Sequence, residues 1–157
     1  MTSPAGALRL LFSRTFNMIK SEIIHPPLLS ALAKCGHKTQ ILIADANYAF
    51  VSNAPEQAEI IYLNLAPGTI AGPIILEKLL KVINVEQATM MSWPETFDNT
   101  IACEYRDLMP AGCPVEYLDR ASFYARVKLD MTMLVIASGE TRRFANLLLT
   151  VAPVIIN

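Results

Sequence analysis

Apolar residues recur along the chain in two patterns, one typical of helices and one typical of buried strands. The helical pattern is clearest where Leu28, Leu32 and Cys35 fall on one face, and Gly36 then supplies a plausible C-terminal stop. The strand pattern is clearest at residues 40–46, where apolar residues run continuously instead of alternating with polar ones. Such a continuous run predicts a strand that is buried on both faces.

The two patterns alternate through the rest of the chain. Strands separated by helices of about ten residues indicate crossover connections and a largely parallel sheet. The expected fold is therefore α/β, a single three-layer domain with a largely parallel sheet and flanking helices. The predicted helices cover about 26–35, 74–83, 97–109 and 120–128, and the predicted strands cover 40–46, 60–65, 85–91, 115–118, 131–137 and part of 145–157.

The first 17 residues differ in composition from the rest of the chain. They contain Arg9 and Arg14 together with serines and leucines, and no acidic residue occurs before Glu22. This composition is typical of an amphipathic organelle-targeting segment, although a short N-terminal extension can have it too. We favour the extension, because the segment is short and its arginines are few. The chain is thus divided into an extension at 1–17 and a domain at 18–157, and a cytoplasmic location is expected unless the extension directs import into an organelle.

Composition excludes several classes of partner. Hydrophobic residues make up 53% of the chain and charged residues 17%, yet no apolar run approaches the roughly 18 residues that span a bilayer. Burial in a subunit interface is the simplest explanation for the surplus hydrophobic surface. The net charge of −1 and the lack of a basic block exclude nucleic acid as the expected partner. The three cysteines show no CxxC spacing, which favours a reducing compartment and argues against a structural metal.

Candidate chemistry is limited to a few isolated polar residues. No GxGxxG, P-loop, GxSxG or HExxH motif occurs, so the common dinucleotide, phosphate, serine-hydrolase and zinc-protease sites are not predicted. His37 follows a predicted helix C-terminus, where a lone histidine is more often exposed or capping than catalytic. Asp45 ends the first predicted strand, where open parallel sheets bind ligands, but it could instead cap the next turn through an Asx-type bond. Taken singly, Tyr124 and Asn146 are explained at least as well by surface or packing roles.

Five segments taken together are more specific than any single residue. They are IHPPLLSALAKCGHKTQILIADANYAF, IIYLNLAPGTIAGPIILEKLL, EYRDLM, DRASFYARV and SGETRRFANLLLTVAP. In this order and spacing, from about Met18 to Ile155, they resemble the D-ribose pyranase / L-fucose mutarotase family. The resemblance implies a sheet with helices, assembled into a ring-shaped homo-oligomer, commonly a decamer, with sites at subunit contacts. It also implies interconversion of monosaccharide anomers, or of pyranose and furanose forms, without a cofactor or metal.

The resemblance also implies roles for five residues. The catalytic residues would be His37 as the main acid/base, Asp45 and Tyr124, and the sugar oxygens would be held by Arg106 and Asn146. Asp45 would fix the histidine tautomer or bind a hydroxyl, and Tyr124 would be a second proton partner or a hydroxyl ligand. Such positioned acid–base groups contribute about 10²–10⁴-fold to a rate.

The chain departs from the family pattern at three places. Thr39 stands where an acid is common two residues after the histidine, Ala49 follows Tyr48 where proline is frequent, and the central histidine of ribose-type members is missing. FYARV and the YR motif favour the fucose type, but Thr39 and the APG turn do not match that type, so a fucose-like and a ribose-like sugar both stay open. Because the acid is missing at Thr39, a rival interpretation also stays open, namely a non-catalytic sugar-binding or transport-accessory oligomer on the same fold.

The spacing of His37 and Asp45 raises a geometric question. They are eight residues apart, and an extended chain of that length spans about 26 Å. They can share a site only if the turn after His37 folds back, or if the two ends of the strand meet across subunits.

Overall fold

The computed structural model describes residues 18–156, which form one six-stranded sheet with helices on both faces. Each element that the sequence predicts is present, and two strands have the predicted bounds. The helices are α1 (Pro26–Lys34), α2 (Gly72–Leu79), α3 (Thr100–Leu108) and α4 (Arg120–Val127), and the strands are β1 (Gln40–Ala44), β2 (Glu59–Tyr62), β3 (Val85–Met91), β4 (Val115–Leu118), β5 (Thr132–Ala137) and β6 (Leu147–Val151).

The sheet has the strand order β2-β5-β1-β6-β3-β4. Strands β1 and β2 pair parallel with β5, and β3 pairs parallel with β4, whereas β6 is antiparallel to both of its neighbours. The prediction of a largely parallel α/β sheet is therefore confirmed. The carboxyl ends of five strands and the start of β6 lie at one edge, named here the carboxyl edge. The opposite edge, named the amino edge, carries the starts of β1 and β3.

The two faces of the sheet bury separate hydrophobic clusters. Ile41 and Ile43 face the larger cluster, which also includes residues of α1, α2 and α3. Leu42 and Ala44 face the smaller cluster, which includes residues of α4 and of the segment 48–58. All five residues of β1 are buried, as the continuous apolar run predicts. This strand therefore anchors whatever residues lie at its two ends.

Helix α4 begins directly at the carboxyl edge. Asp119 follows the last residue of β4 and caps the helix, because its Oδ1 accepts a hydrogen bond of 3.0 Å from the Ser122 amide. The hydrogen bonds from Ser122 lower the pKa of Asp119, so the cap stays ionised at neutral pH. The cap fixes Arg120 in the first turn of α4, and Tyr124 lies one turn further along.

The surface exposes large apolar side chains that the fold does not bury. Among residues 18–156, no helix is long and apolar enough to cross a membrane. That a subunit interface covers such side chains stays a prediction. The predicted extension, residues 1–17, lies outside the described residues, and the domain boundary stays a prediction. The most exposed apolar residues include Ile24, Leu65, Val154, Ile155 and Ile156.

Candidate functional site

A cavity of about 240 Å³ opens at the carboxyl edge, between the ends of β1, β3 and β4 and the start of β6. Three residues of the predicted site line it, namely Asp45, Tyr124 and Asn146. Asp45 follows β1, Asn146 precedes β6 and Tyr124 lies on α4, so the topology brings together residues that are far apart in the sequence. Ligands of open α/β sheets bind at this edge.

Asp45 and Asn146 form a reciprocal pair on the floor of the cavity. The Asp45 amide donates to Asn146 Oδ1 over 2.8 Å, and Asn146 Nδ2 donates to Asp45 Oδ2 over 2.9 Å. Both residues are buried. Asp45 Oδ1 also accepts a hydrogen bond of 3.0 Å from the Asn47 amide, which is the Asx-type turn that the sequence left open as an alternative. The carboxylate therefore has a structural bond on one oxygen and a partner inside the cavity on the other.

Burial raises the pKa of the Asp45 carboxyl above its ordinary value. The hydrogen bonds from Asn47, Asn146 and Tyr48 oppose this effect, and repulsion from the nearby Glu140 carboxylate adds to it. A carboxyl with a raised pKa exchanges its proton closer to neutral pH than an exposed one does. Asp45 is thus suited to general acid–base chemistry at the cavity floor.

Two tyrosines form one wall of the cavity. The rings of Tyr48 and Tyr124 lie with their centroids 5.5 Å apart. The Tyr48 hydroxyl donates to the Asn53 carbonyl over 2.7 Å, and burial raises its pKa, so this residue shapes the wall without titrating. Within the described chain, the Tyr124 hydroxyl has no hydrogen-bond partner. It is the hydroxyl that a ligand in the cavity can use.

Two arginines also line the cavity, and the sequence reasoning missed both as site residues. The guanidinium of Arg120 lies 5.6 Å from the centre of the Tyr124 ring. That of Arg143 lies 5.3 Å from the ring of Phe97 and 5.2 Å from that of Phe144. Arg120 lies two residues after the end of β4, at the same edge of the sheet as Asp45, so a search of all residues near that edge would have found it.

The segment 138–146 carries Asn146, and hydrogen bonds to the buried carboxylate of Glu140 hold this segment in place. These hydrogen bonds are named here the Glu140 brace. Glu140 is 3% exposed, and its side chain accepts hydrogen bonds from the Gly72 amide at 3.2 Å and from Arg142 N at 3.0 Å and Nε at 2.9 Å. Burial alone would raise the Glu140 pKa, but the bonds from Arg142 outweigh it and the pKa is lowered. Arg142 also donates to Glu104 and so bridges Glu140 to Glu104.

The same segment is tied to Asp45 through its backbone. The Ala46 amide donates to the Glu140 carbonyl over 2.8 Å, so the brace reaches the residue next to Asp45. The buried Tyr105 hydroxyl donates to the Ala145 carbonyl over 2.9 Å. A side chain at Gly139 would meet the Thr69 carbonyl oxygen at 2.1 Å, which explains the glycine at this position.

One residue of this segment has an unfavourable backbone conformation. Phe144 has φ 59°, in the left-handed region, which costs a non-glycine residue about 1–3 kcal/mol. In this conformation its ring lines the cavity and lies edge-on to Phe97, with centroids 5.0 Å apart. The brace around Glu140 holds the segment in a shape that it would not favour alone.

His37 does not lie in this cavity. It is at the amino edge, where its Nε2 is 3.2 Å from Glu86 Oε2, and it lines a separate cavity. The turn after it does not fold back, because the Lys38 amide donates to the Val151 carbonyl over 2.9 Å and the Thr39 amide to that of Gly36 over 3.1 Å. Within one chain, His37 and Asp45 therefore lie at opposite ends of β1.

Arg106 also lies apart from Asp45. It is on α3, donates to Cys103 Sγ over 3.4 Å and lines a third cavity with Trp93 and Tyr117. The structure thus brings together three of the five predicted residues, Asp45, Tyr124 and Asn146, and separates the other two.

Comparison with known proteins gives a consistent set of relatives. The sequence model of the RbsD / FucU transport protein family matches residues 18–154. Three solved structures share the fold. FucU from Bifidobacterium longum is 29% identical with a TM-score of 0.72, over 83% of this chain and 94% of that one. Bacillus subtilis RbsD complexed with D-ribose is 27% identical with a TM-score of 0.76, over 88% and 100%. The fucose mutarotase from Streptococcus pneumoniae in complex with L-fucose is 27% identical with a TM-score of 0.72, over 84% and 95%.

Proposed function

The chain belongs to the RbsD / FucU transport protein family, and we propose that it is an isomerase that interconverts the anomers or ring forms of a monosaccharide. Similar structures of an RbsD with D-ribose and a fucose mutarotase with L-fucose support a monosaccharide ligand. The observation that carries the proposal is the buried Asp45–Asn146 pair, which lies in a small cavity that also holds the Tyr124 hydroxyl.

The reaction needs two proton transfers and no change in composition. One proton leaves the anomeric hydroxyl and one reaches the ring oxygen, so the ring opens to an aldehyde that rotates and closes again. Asp45, with its raised pKa, can take or give a proton at the cavity floor, and Tyr124 can donate one from the wall. Asn146 uses one amide hydrogen for Asp45 and keeps the other for a sugar oxygen.

We assign the role of His37 to a neighbouring copy of the chain. Its side chain is about half exposed at the amino edge, so it is accessible to the carboxyl edge of another molecule. A ring of copies, a decamer in the resemblance given above, would place His37 of one copy beside Asp45 of the next. Heterologous contacts of this kind generate a ring when the rotation between copies closes.

Thr39 has no carboxylate to offer His37, but Glu86 supplies one. Thr39 Oγ1 accepts a hydrogen bond of 3.1 Å from the Gly36 amide, so this hydroxyl caps the turn and is not used to orient the imidazole. Glu86 reaches His37 from β3, and the same carboxylate binds Lys38. A carboxylate on one ring nitrogen fixes the tautomer and orientation of a histidine. This replacement favours catalysis over the rival, a non-catalytic sugar-binding or transport-accessory oligomer.

Subunit mixing tests the shared site. His37→Ala and Asp45→Ala are each expected to lose acceleration of anomeric exchange, measured by exchange NMR with ribose, fucose and galactose. Co-assembly of the two variants restores intact sites in about one quarter of contacts, if one copy supplies His37 and another supplies Asp45.

The control is each variant assembled alone, without the other. No recovery in the mixture would contradict a site shared between copies, and full activity of His37→Ala alone would remove this residue from the mechanism. Sugar binding without faster exchange in the wild-type protein would support the rival.

We further propose a cytoplasmic location. Cys35, Cys103 and Cys113 are all free thiols, as is usual for proteins of a reducing compartment.

A further inference from the structure

The charged side chains that line the Asp45 cavity are predominantly positive. Arg120 and Arg143 contribute two guanidinium groups, and Asp45 contributes the one carboxylate. The cavity is therefore net positive even with Asp45 ionised. The chain as a whole has a net charge of −1, so this excess is local and does not reflect a basic protein.

Neither arginine is neutralised by an acid of the described chain. Within residues 18–156, no ion pair involves Arg120 or Arg143. The acids nearest in sequence are engaged elsewhere, since Asp119 caps α4 and Glu140 binds Arg142. Arg142 is paired with two acids, whereas Arg120 and Arg143 have no acidic partner among the described residues.

Aromatic rings hold both guanidinium groups at the cavity mouth. Arg120 stacks over Tyr124, and Arg143 over Phe97 and Phe144. Stacking uses the face of the guanidinium and leaves its in-plane N–H donors free to bind a carboxylate or phosphate. Because the positions of both groups are restricted before binding, less side-chain entropy is lost when a ligand binds.

The charges are also segregated along the cavity. Asp45 and Asn146 are buried at the floor, whereas Arg120 and Arg143 are exposed at the mouth. A sugar that places its anomeric centre against Asp45 would present its far end to the two arginines. A neutral hydroxyl there would accept ordinary hydrogen bonds from the arginines, whereas an acidic group would form charge-assisted hydrogen bonds, which are shorter and stronger.

We propose that the substrate is a monosaccharide with an acidic group remote from the anomeric carbon, a carboxylate or a phosphate, bound by Arg120 and Arg143. This inference rests on the proposed function, because it uses the sugar orientation that ring opening at Asp45 requires. Arg143 is then a specificity-determining residue that the reaction with a neutral sugar does not need.

The test compares three sugars that differ only at carbon 6, namely D-galactose, D-galacturonate and D-galactose 6-phosphate. Saturation-difference NMR measures binding, and exchange NMR measures anomer interconversion, on the same full-length protein. We expect one of the two acidic sugars to bind about tenfold more tightly than galactose, and the better of the two identifies carboxylate or phosphate as the group. Added sodium chloride should weaken binding of the acidic sugar and leave that of galactose unchanged.

Variants assign the preference to Arg143. Arg143→Gln should weaken binding of the acidic sugar about threefold to tenfold and that of galactose less than twofold. Arg143→Lys keeps the charge but not the planar fork of donors, so it should keep only part of the preference. Lys128→Gln removes the same charge from the far end of α4, outside the cavity, and should change neither affinity. Thermal unfolding of each variant checks that it is folded.

The outcomes separate this inference from the proposed function. If galactose exchanges faster with the protein and the acidic sugars bind no better, the inference is overturned and the isomerase proposal stands. If an acidic sugar binds through Arg143 but no sugar exchanges faster, the isomerase proposal fails and the ligand class holds. If none of the three sugars binds, the inference is overturned.

Discussion

Glu140→Gln converts one oxygen of a buried carboxylate into an amide group that can only donate hydrogen bonds. In the wild-type protein both oxygens accept, from the Gly72 amide and from Arg142 N, Nε and Nη2. Whichever way the glutamine turns, its amide faces at least one of these donors. The variant therefore keeps the volume of the side chain and breaks the brace on the segment 138–146.

The expected cost is about 2–3 kcal/mol, the range for hydrogen bonds to a charged group together with a donor left unsatisfied. It stays below the 3–5 kcal/mol of a broken buried ion pair, because Arg142 is partly exposed and keeps Glu104 as a partner. For a chain of this size, the loss corresponds to a fall of about 4–12 °C in the unfolding midpoint. Circular dichroism at matched protein concentrations measures it.

Glu104→Gln is the matched control. Glu104 binds the same arginine from the surface, with its side chain about half exposed, so its loss should cost no more than about 1 kcal/mol. The acid dependence provides a second check. The Glu140 pKa is lowered in the fold, so its contribution is present above the ordinary value of 4.5 and is lost as the pH falls through the folded pKa. The difference in unfolding midpoint between wild type and Glu140→Gln should therefore become smaller in acid. Equal midpoints at neutral pH would refute the stabilising role of the Glu140 hydrogen bonds.

Two further predictions concern the partners of the same segment. Tyr105→Phe removes the hydroxyl bonded to the Ala145 carbonyl and should cost about 1–2 kcal/mol in denaturant unfolding, whereas Tyr117→Phe, at an exposed ring, should cost less than about 0.5 kcal/mol. Asn146→Ala removes a bond that lowers the pKa of Asp45, so ¹³C NMR of its carboxyl carbon should show the raised pKa rising further, and an unchanged value would contradict the pairing.

The sheet was predictable because its strands carry strong local signals. The continuous apolar run at β1 and the bounds of β3 and β4 follow from residue pattern alone, and pattern also gave the crossover connections. Pattern could not give the strand order, which depends on contacts between distant segments. The insertion of antiparallel β6 between β1 and β3 places Asn146 beside Asp45, and only the assembled sheet shows this pairing.

The site was harder to predict than the sheet for a related reason. Asp45 could be found because the end of a buried strand is a place that the sequence marks. Arg143 and Glu140 follow no strand directly and stand among other polar residues, so their neighbours alone suggest solvated positions. Their roles come from contacts with Phe97 on one side and Gly72 on the other, which lie 46 and 68 residues away in the sequence.

A strand buried on both faces has only its two ends free for chemistry, and in the proposed mechanism His37 and Asp45 flank the two ends of β1 for this reason. Every residue of β1 is buried, and its five residues span about 17 Å at 3.3 Å per residue, so the two groups cannot meet within a copy. Glu86 holds the imidazole at the amino edge, where it faces outward. In the proposed ring each β1 would serve two neighbouring sites, one through its histidine and one through its aspartate, so assembly and catalysis would depend on the same contact.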